Sequence, residues 1–269
     1  MVRLRIGSLW LALAGTALGA LPGAYYPMLE TGVARVEARL NAEPAATLRT
    51  IEEQTGWRHF PHALLAAAVL HNHHASANPC CPSRRNPGQP PFRRRREKAA
   101  CPSGFDSHAK PCPERYLALA RRIADLCITA DEAGLYYWRL DSYWDTYMWL
   151  ESYRLLQRDL TPAERARWRR TLERNVAMIA TRSAEWRDFP AYTSSYIGTS
   201  TNHYALWAVN LMLAGRLFSN HEWQSLGEHI LHRLAAEQSP GGYWGEYSAT
   251  GPTTGYNLLT LAAVGVYQA

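Results

Sequence analysis

The sequence predicts an all-α fold, because apolar residues recur at helical spacing in segment after segment and convincing strand patterns are absent. A clear start signal supports this prediction. Thr161 is followed by Pro162 and Glu164, the pattern of a capping box with proline at the first helical position. Helices are predicted at 26–42, 50–54, 61–74, 113–128, 141–157, 162–186, 202–217, 220–237 and 255–269.

Apolar and amphipathic helices alternate along the chain. The helix at 202–217 is apolar on nearly every side, whereas the helix at 220–237 carries one apolar stripe that includes Trp223, Ile230 and Leu234. Such pairs suit two concentric layers, so the sequence predicts an α/α toroid of helical hairpins with the apolar helices inside. A compact bundle is the alternative. The helices are fewer than a closed ring needs, so we expect an incomplete toroid.

The first residues have the features of an export signal. Arg3 and Arg5 precede a short apolar run at 6–18, and Ala17-Leu18-Gly19 resembles a small-residue cleavage site. This run falls short of the roughly 20 residues of a membrane span. We therefore expect a signal peptide at 1–19, a toroid domain at 20–269, a secreted or periplasmic location, and no stable membrane insertion after cleavage. An uncleaved anchor or a buried helix are the alternatives.

A segment at 75–113 interrupts the helical pattern. It is rich in proline and cysteine, and the stretch 80–115 holds nine Lys or Arg against three Asp or Glu. This local excess accounts for the net charge of +6 of the whole chain, so no nucleic-acid partner is predicted. We expect an exposed insertion, unless the segment reflects a reading-frame artefact.

Cysteines and histidines in and beside that segment suggest a zinc site at first sight. No CxxC pair occurs, and adjacent cysteines do not readily bind one metal together, so no metal is predicted. Disulfide bonds or incidental cysteines are the alternatives. The residues concerned are Cys80, Cys81, Cys101, Cys112, His71, His73, His74 and His108.

Two segments resemble the toroid domain of polysaccharide lyases, the group that contains alginate lyases and heparinase II/III-like enzymes. They are "TNHYALWAV" and "GGYWGEYSATGPTTGYNLLTLAAV", and the likeness covers roughly 136–269. The resemblance implies that Asn202, His203 and Tyr256 are catalytic. One departure is clear. Alginate-lyase-like enzymes have an arginine several residues before the tyrosine, whereas this chain has Ser248, Ala249 and Thr250 there.

The reaction of such lyases gives each residue a role. β-Elimination removes a weakly acidic proton next to the uronate carboxylate, and the developing enediolate needs stabilisation. Asn202 would neutralise that carboxylate, His203 would stabilise it or act as base, and Tyr256 would act as base or as acid toward the leaving oxygen. No cofactor is required. In the simpler alternative, Asn202 is only a helix N-cap.

Acidic and aromatic residues form a predicted sugar-binding surface. Asp141 and Asp145 share a helix face, and aromatic rings between them would stack on sugar rings. Alternatively, these rings pack in the core and the acids pair with Arg139 and Arg154. The predicted substrate-binding residues are Asp141, Trp144, Asp145, Tyr147, Tyr196, Tyr243, Trp244 and Glu246.

These features together predict an exported lyase that acts on an acidic polysaccharide. A toroid glycoside hydrolase is one alternative, using Asp141 or Asp145 with Glu246 as its pair of carboxylates. A non-catalytic glycan-binding toroid is the other.

Overall fold

The computed structural model describes residues 22–44, 60–77, 112–134, 143–190, 199–245 and 253–268. Within these ranges the chain forms eight α-helices and no β-strand, so the all-α prediction is confirmed. The expected helix at 50–54 lies outside the described residues. The helices are α1 Pro22–Ala42, α2 Phe60–Ala77, α3 Pro113–Glu132, α4 Tyr143–Leu156, α5 Pro162–Trp186, α6 Thr201–Phe218, α7 His221–Ala236 and α8 Thr254–Gln268.

Side-chain caps explain where two of these helices begin. The Thr161 hydroxyl accepts from the Glu164 amide at 3.2 Å, and the Glu164 carboxylate accepts from the Thr161 amide at 2.7 Å, which confirms the capping box. Asn220 caps α7 by accepting from the Trp223 amide. Residue Ser200, however, occupies the N-cap position of α6. The alternative that Asn202 is an N-cap is therefore wrong, since Asn202 lies inside the first turn.

Four helices form one layer, in which each contacts the next: α2, α4, α6 and α8. The first two run parallel, because His62 lies beside Asp145 near their starts and Asn72 donates to the Leu155 carbonyl near their ends. Near the ends of α4 and α6, the rings of Tyr153 and Phe218 lie 5.8 Å apart. We call α2, α4, α6 and α8 the first layer.

Three helices form a second layer that runs antiparallel to the first: α3, α5 and α7. The start of α3 meets the end of α2, where the His71 ring bonds the Pro113 carbonyl. The end of α5 meets the start of α6, where Trp186 stacks on Trp207 at 5.9 Å. Helix α1 packs on α2.

The closest approach between the layers is the pair α6 and α7. Gly227 has no room for a side chain, because a Cβ there would lie 2.4 Å from the Ala208 carbonyl oxygen. Gly215 is equally confined against the Gln224 backbone. These two glycines let the backbones touch, so α6 is buried on almost every side.

Two further predictions concern the insertion at 75–113 and the absence of a membrane span. Helix α2 continues through Ala77, past the expected start of the insertion at 75, and residues 78–111 lie outside the described residues. Among the helices that the structure describes, none has the length and apolar character that crossing a bilayer demands. The predicted signal peptide at 1–19 also lies outside the described residues.

Candidate functional site

The starts of the parallel first-layer helices lie at one end of the molecule. This end carries His62 on α2, Asp145 on α4, Asn202 and His203 on α6, and Tyr256 on α8. We call it the N-terminal end of the first layer. The opposite end, where α2, α4 and α6 finish, is the C-terminal end.

A short segment ties the starts of α6 and α8 together. The Thr201 hydroxyl donates to the Gly245 carbonyl at 2.9 Å. The Asn257 side chain accepts from the Trp244 amide at 2.7 Å and donates to the Trp244 carbonyl at 3.0 Å. Since Asn202 follows Thr201 and Tyr256 precedes Asn257, the two predicted catalytic segments flank one peptide segment.

Asn202 is buried in the first turn of α6, with 1% of its surface exposed. Within the described part of the chain, its Oδ1 atom has no hydrogen-bond partner. A buried polar atom without a partner costs on the order of 1–3 kcal/mol. Among the described residues, the amide oxygen of Asn202 is therefore an unused acceptor in the turn that carries His203.

His203 is half-buried beside Thr199, whose hydroxyl lies 3.4 Å from Nδ1. Burial lowers the pKa of His203 from 6.5 to about 4, because removal of water disfavours the charged imidazolium. The ring is consequently neutral across the physiological range. A neutral imidazole both donates and accepts hydrogen bonds, but it is a weak base.

Tyr256 lies in the first turn of α8 with 46% of its surface exposed. Its carbonyl accepts from the Thr260 hydroxyl, and its neighbour Asn257 holds the Trp244 backbone. The phenol is thus accessible from solvent at the end of the molecule that holds His203.

Asp145 was predicted to bind a sugar through an accessible carboxylate, but the structure buries this side chain. The residue is 1% exposed, and its Oδ1 lies 3.6 Å from Nδ1 of His62. The carboxylate is covered to the same extent as the Asn202 amide, and it lies beside the exposed imidazole of His62. On the same helix, Trp144 and Tyr147 are half-buried, and burial raises the pKa of Tyr147. Arg154 pairs with Glu151 at 2.6 Å.

Trp244 also differs from its predicted role. Only 3% of the residue is exposed, and its indole N–H donates to the Leu234 carbonyl at 2.7 Å. No face of the ring is free for a sugar, so Trp244 anchors the segment between α7 and α8 instead. Tyr243 beside it is half-buried. The predicted residues Asp141, Tyr196 and Glu246 lie outside the described residues.

Sequence reasoning missed His62 and Asn257. His62 is one histidine in an alanine- and leucine-rich helix, and no local pattern marks it as the neighbour of Asp145. Asn257 directly follows Tyr256, and only the folded chain shows that it holds the Trp244 backbone. Tyr204 was also missed, although it is fully buried and its hydroxyl has no partner among the described residues.

The histidines near the end of α2 each have a separate structural partner. His71 bonds the Pro113 carbonyl at 2.9 Å and lies 3.4 Å from Asp159, while His74 bonds Glu30 at 2.9 Å. His73 stacks on the Tyr26 ring at 3.6 Å. In the described ranges no cluster of His, Cys, Asp and Glu side chains is arranged to hold a metal ion. Within the described ranges, Cys112 and Cys127 form no disulfide bond; the other three cysteines lie outside those ranges.

Comparison with known proteins gives no relative. No family model, no curated protein and no solved structure matches this chain.

Proposed function

We propose that the protein is an exported polysaccharide lyase that cleaves an acidic, uronate-containing glycan by β-elimination. The observation that carries this proposal is the grouping of Asn202, a neutral His203 and an accessible Tyr256 at the end where the first-layer helices begin. The contacts through Gly245, Trp244 and Asn257 support their proximity.

Helix direction favours an anionic substrate at this end. Each helix N-terminus carries a partial positive charge of roughly half an elementary charge and several unpaired amide donors. Four parallel helices present these ends together. Such a field attracts a polyanionic chain and stabilises negative charge that develops during the reaction. This contribution compensates in part for the arginine that is missing before Tyr256.

The environment of His203 favours one of its two predicted roles. With a pKa near 4, the ring is too weak a base to remove a poorly acidic proton efficiently, but it stays neutral and can donate an N–H. We assign to His203, together with the Asn202 amide, stabilisation of the uronate carboxylate as it becomes an enediolate. Lowering the pKa of a histidine so that the neutral ring acts as electrophile is known from other enzymes.

Tyr256 is then the group that transfers protons. In the elimination, the proton on the carbon next to the carboxylate leaves to a base, the bond from the β carbon to the glycosidic oxygen breaks, and that oxygen is protonated. For this step Tyr256 must begin as the phenolate, which takes the first proton; the phenol that results then gives a proton to the leaving oxygen and becomes the phenolate again. No proton is gained or lost overall, and the product keeps a carbon–carbon double bond.

The two helix layers support an arc of an α/α toroid as the framework of this site. The first layer would be the inner ring and the second layer the outer ring, since each first-layer helix contacts the next and α3, α5 and α7 pack behind them. In such an arc, a glycan would cross the row of first-layer helix starts.

The proposal is tested by incubating the protein with alginate, heparan, chondroitin and pectin-type chains while following the ultraviolet absorbance of the unsaturated uronate. We expect one class to be cleaved. Tyr256→Phe should lower kcat about 10²–10⁴-fold, and His203→Ala about 10²–10³-fold. His221→Ala, at the exposed start of α7, is the matched control and should retain full activity.

Two outcomes would overturn the proposal. New reducing ends without ultraviolet absorbance would indicate a glycoside hydrolase. Binding of an acidic glycan without any cleavage would indicate a non-catalytic glycan-binding protein.

A further inference from the structure

A groove of about 460 Å³ lies between α5 and α7, in the second layer and outside the proposed catalytic group. Ala180 and Ala184 form its wall on the side of α5, and Trp223 and Leu226 form its wall on the side of α7. Sites for small organic ligands commonly have volumes of roughly 300–1,000 Å³. The groove is therefore large enough to hold such a ligand.

The neighbouring gap in the same layer is closed by ion pairs. Between α3 and α5, the Arg167 guanidinium bonds Asp125 at 2.8 Å and Glu132 at 2.9 Å. Between α5 and α7, Arg233 bonds the Arg187 carbonyl at one end of the groove. Beyond that bond the side chains of α5 are alanines, which are too short to fill the space. The two gaps therefore differ in what occupies them.

The ring of Trp223 is the main apolar surface in this groove. The side chain packs against the core but is only partly covered. Within the described part of the chain, its ring has no aromatic partner and its indole N–H has no hydrogen bond. Other tryptophans differ: Trp186 stacks on Trp207 at 5.9 Å, and the Trp244 indole donates to the Leu234 carbonyl. Trp223 thus offers a ring face and a donor to a ligand.

Polar groups of both kinds surround this ring. Glu222 and Ser225 are exposed, and neither side chain has a partner among the described residues. The Arg187 guanidinium is 55% exposed and lies 3.6 Å from the Asp188 carboxylate. Acceptors and donors are therefore both available, and the charges of Arg187 and Glu222 offset each other.

We propose that this groove binds a neutral oligosaccharide, with one pyranose ring stacked on Trp223 and its hydroxyls bonded by Glu222, Ser225 and Arg187. A sugar ring combines an apolar face of C–H groups with hydroxyls that donate and accept, which matches an aromatic ring among mixed polar groups. An anion would meet the Glu222 carboxylate. An apolar ligand would strip water from these polar groups without replacing their hydrogen bonds.

The inference goes beyond the proposed lyase function, because the groove lies in the second layer and binding there requires no cleavage. Titration calorimetry with the full chain tests it. The probes are neutral hexasaccharides of β-linked glucose, xylose and mannose, with a hexasaccharide from polygalacturonate as the acidic comparison. We expect one neutral chain to bind. Trp223→Ala should weaken its binding about tenfold or more, and Trp223→Phe less, since it keeps a ring. Glu222→Ala should weaken binding about threefold to tenfold.

A second variant keeps the test independent of packing. Trp223→Ala removes contacts with the core, so thermal unfolding accompanies it. Ala184→Phe fills the groove from an exposed helical position and removes no packing, so it should abolish binding and decides the question if Trp223→Ala does not fold. The matched control is Met178→Ala, an exposed apolar residue of α5 outside the groove, which should bind as the unchanged protein does.

The outcomes keep the two proposals apart. Binding of a neutral hexasaccharide that Ala184→Phe abolishes supports the groove, whether or not any acidic glycan is cleaved. Failure of every neutral chain to bind overturns the groove and leaves the lyase function standing. Neutral binding that survives both Trp223→Ala and Ala184→Phe also overturns it, as does tighter binding of the acidic hexasaccharide that these two substitutions remove.

Discussion

The two ends of the first layer differ in how some of their polar side chains are bonded. At the C-terminal end, His71 is 1% exposed and bonds the Pro113 carbonyl, and Asn72 donates to the Leu155 carbonyl. At the N-terminal end, Asn202 is equally buried but its Oδ1 has no partner among the described residues. His203 beside it is half-buried, and the loss of water lowers its pKa to about 4.

We interpret this difference as a division between an end that serves stability and an end that the proposed chemistry would use. Satisfied polar groups join α1, α2, α3 and the loop after α4, and they contribute to the free energy of folding. Unsatisfied or desolvated groups lower that free energy, and a ligand that supplied the missing hydrogen bonds would offset this cost. The contrast can be measured with substitutions at each end.

The largest expected effect is at the C-terminal end. His71→Leu should lower the free energy of unfolding by about 2–4 kcal/mol, because it leaves the Pro113 carbonyl and Asp159 without their buried partner. Urea denaturation measures this loss. The ultraviolet assay per folded molecule should remain unchanged. A loss below about 1 kcal/mol would mean that the two ends do not differ in this way.

A smaller and opposite effect is expected at the N-terminal end. Asn202→Leu nearly conserves volume and removes a buried oxygen that has no partner among the described residues, so the free energy of unfolding should stay equal or rise by about 1 kcal/mol. Cleavage should nevertheless be lost. The matched control is Asn72→Leu, which removes a donor that has partners and should lower stability. Equal losses from both substitutions would contradict the comparison.

The smallest expected effect is the dependence of stability on pH at His203. The unfolded chain takes up a proton near pH 6.5, whereas the folded chain takes it up only near pH 4. Stability should therefore fall as pH drops from 6.5 toward 4 and show no further loss from this group below 4. Because the ring is only half-buried, we expect a shallow slope.

Thermal unfolding at a series of pH values checks this expectation. The His203→Gln variant has no ring to protonate, so its unfolding temperature should vary less between pH 6.5 and 4 than that of the unchanged protein. A parallel course of the two curves would contradict the lowered pKa.

Local signals in the sequence predicted most of the helices. Periodicity found the helices of both layers, and Thr161 with Glu164 defined the start of α5. The start of α6 was harder to predict, because Ser200 and Asn202 are both good N-caps and only the fold selects one. The local sequence pattern therefore predicted the helix but not the residue at which it begins.

The candidate site was predicted only in part, because its geometry depends on contacts between distant segments. "TNHY" and "TGYN" marked Asn202, His203 and Tyr256, but not the bonds of Thr201 and Asn257 to the segment at Trp244 and Gly245. Trp244 was expected to be accessible on a loop, but its ring is buried and its indole N–H donates to the Leu234 carbonyl. Only the folded structure, in which α2 packs beside α4, shows that His62 is a neighbour of Asp145.

The close contact at Gly227 couples the movement of α6 to that of α7. Because a Cβ at Gly227 would lie 2.4 Å from the Ala208 carbonyl oxygen, no gap separates the two backbones there, and a shift of one helix must displace the other. Adjustments of the Asn202 and His203 positions would be transmitted to the outer surface of α7.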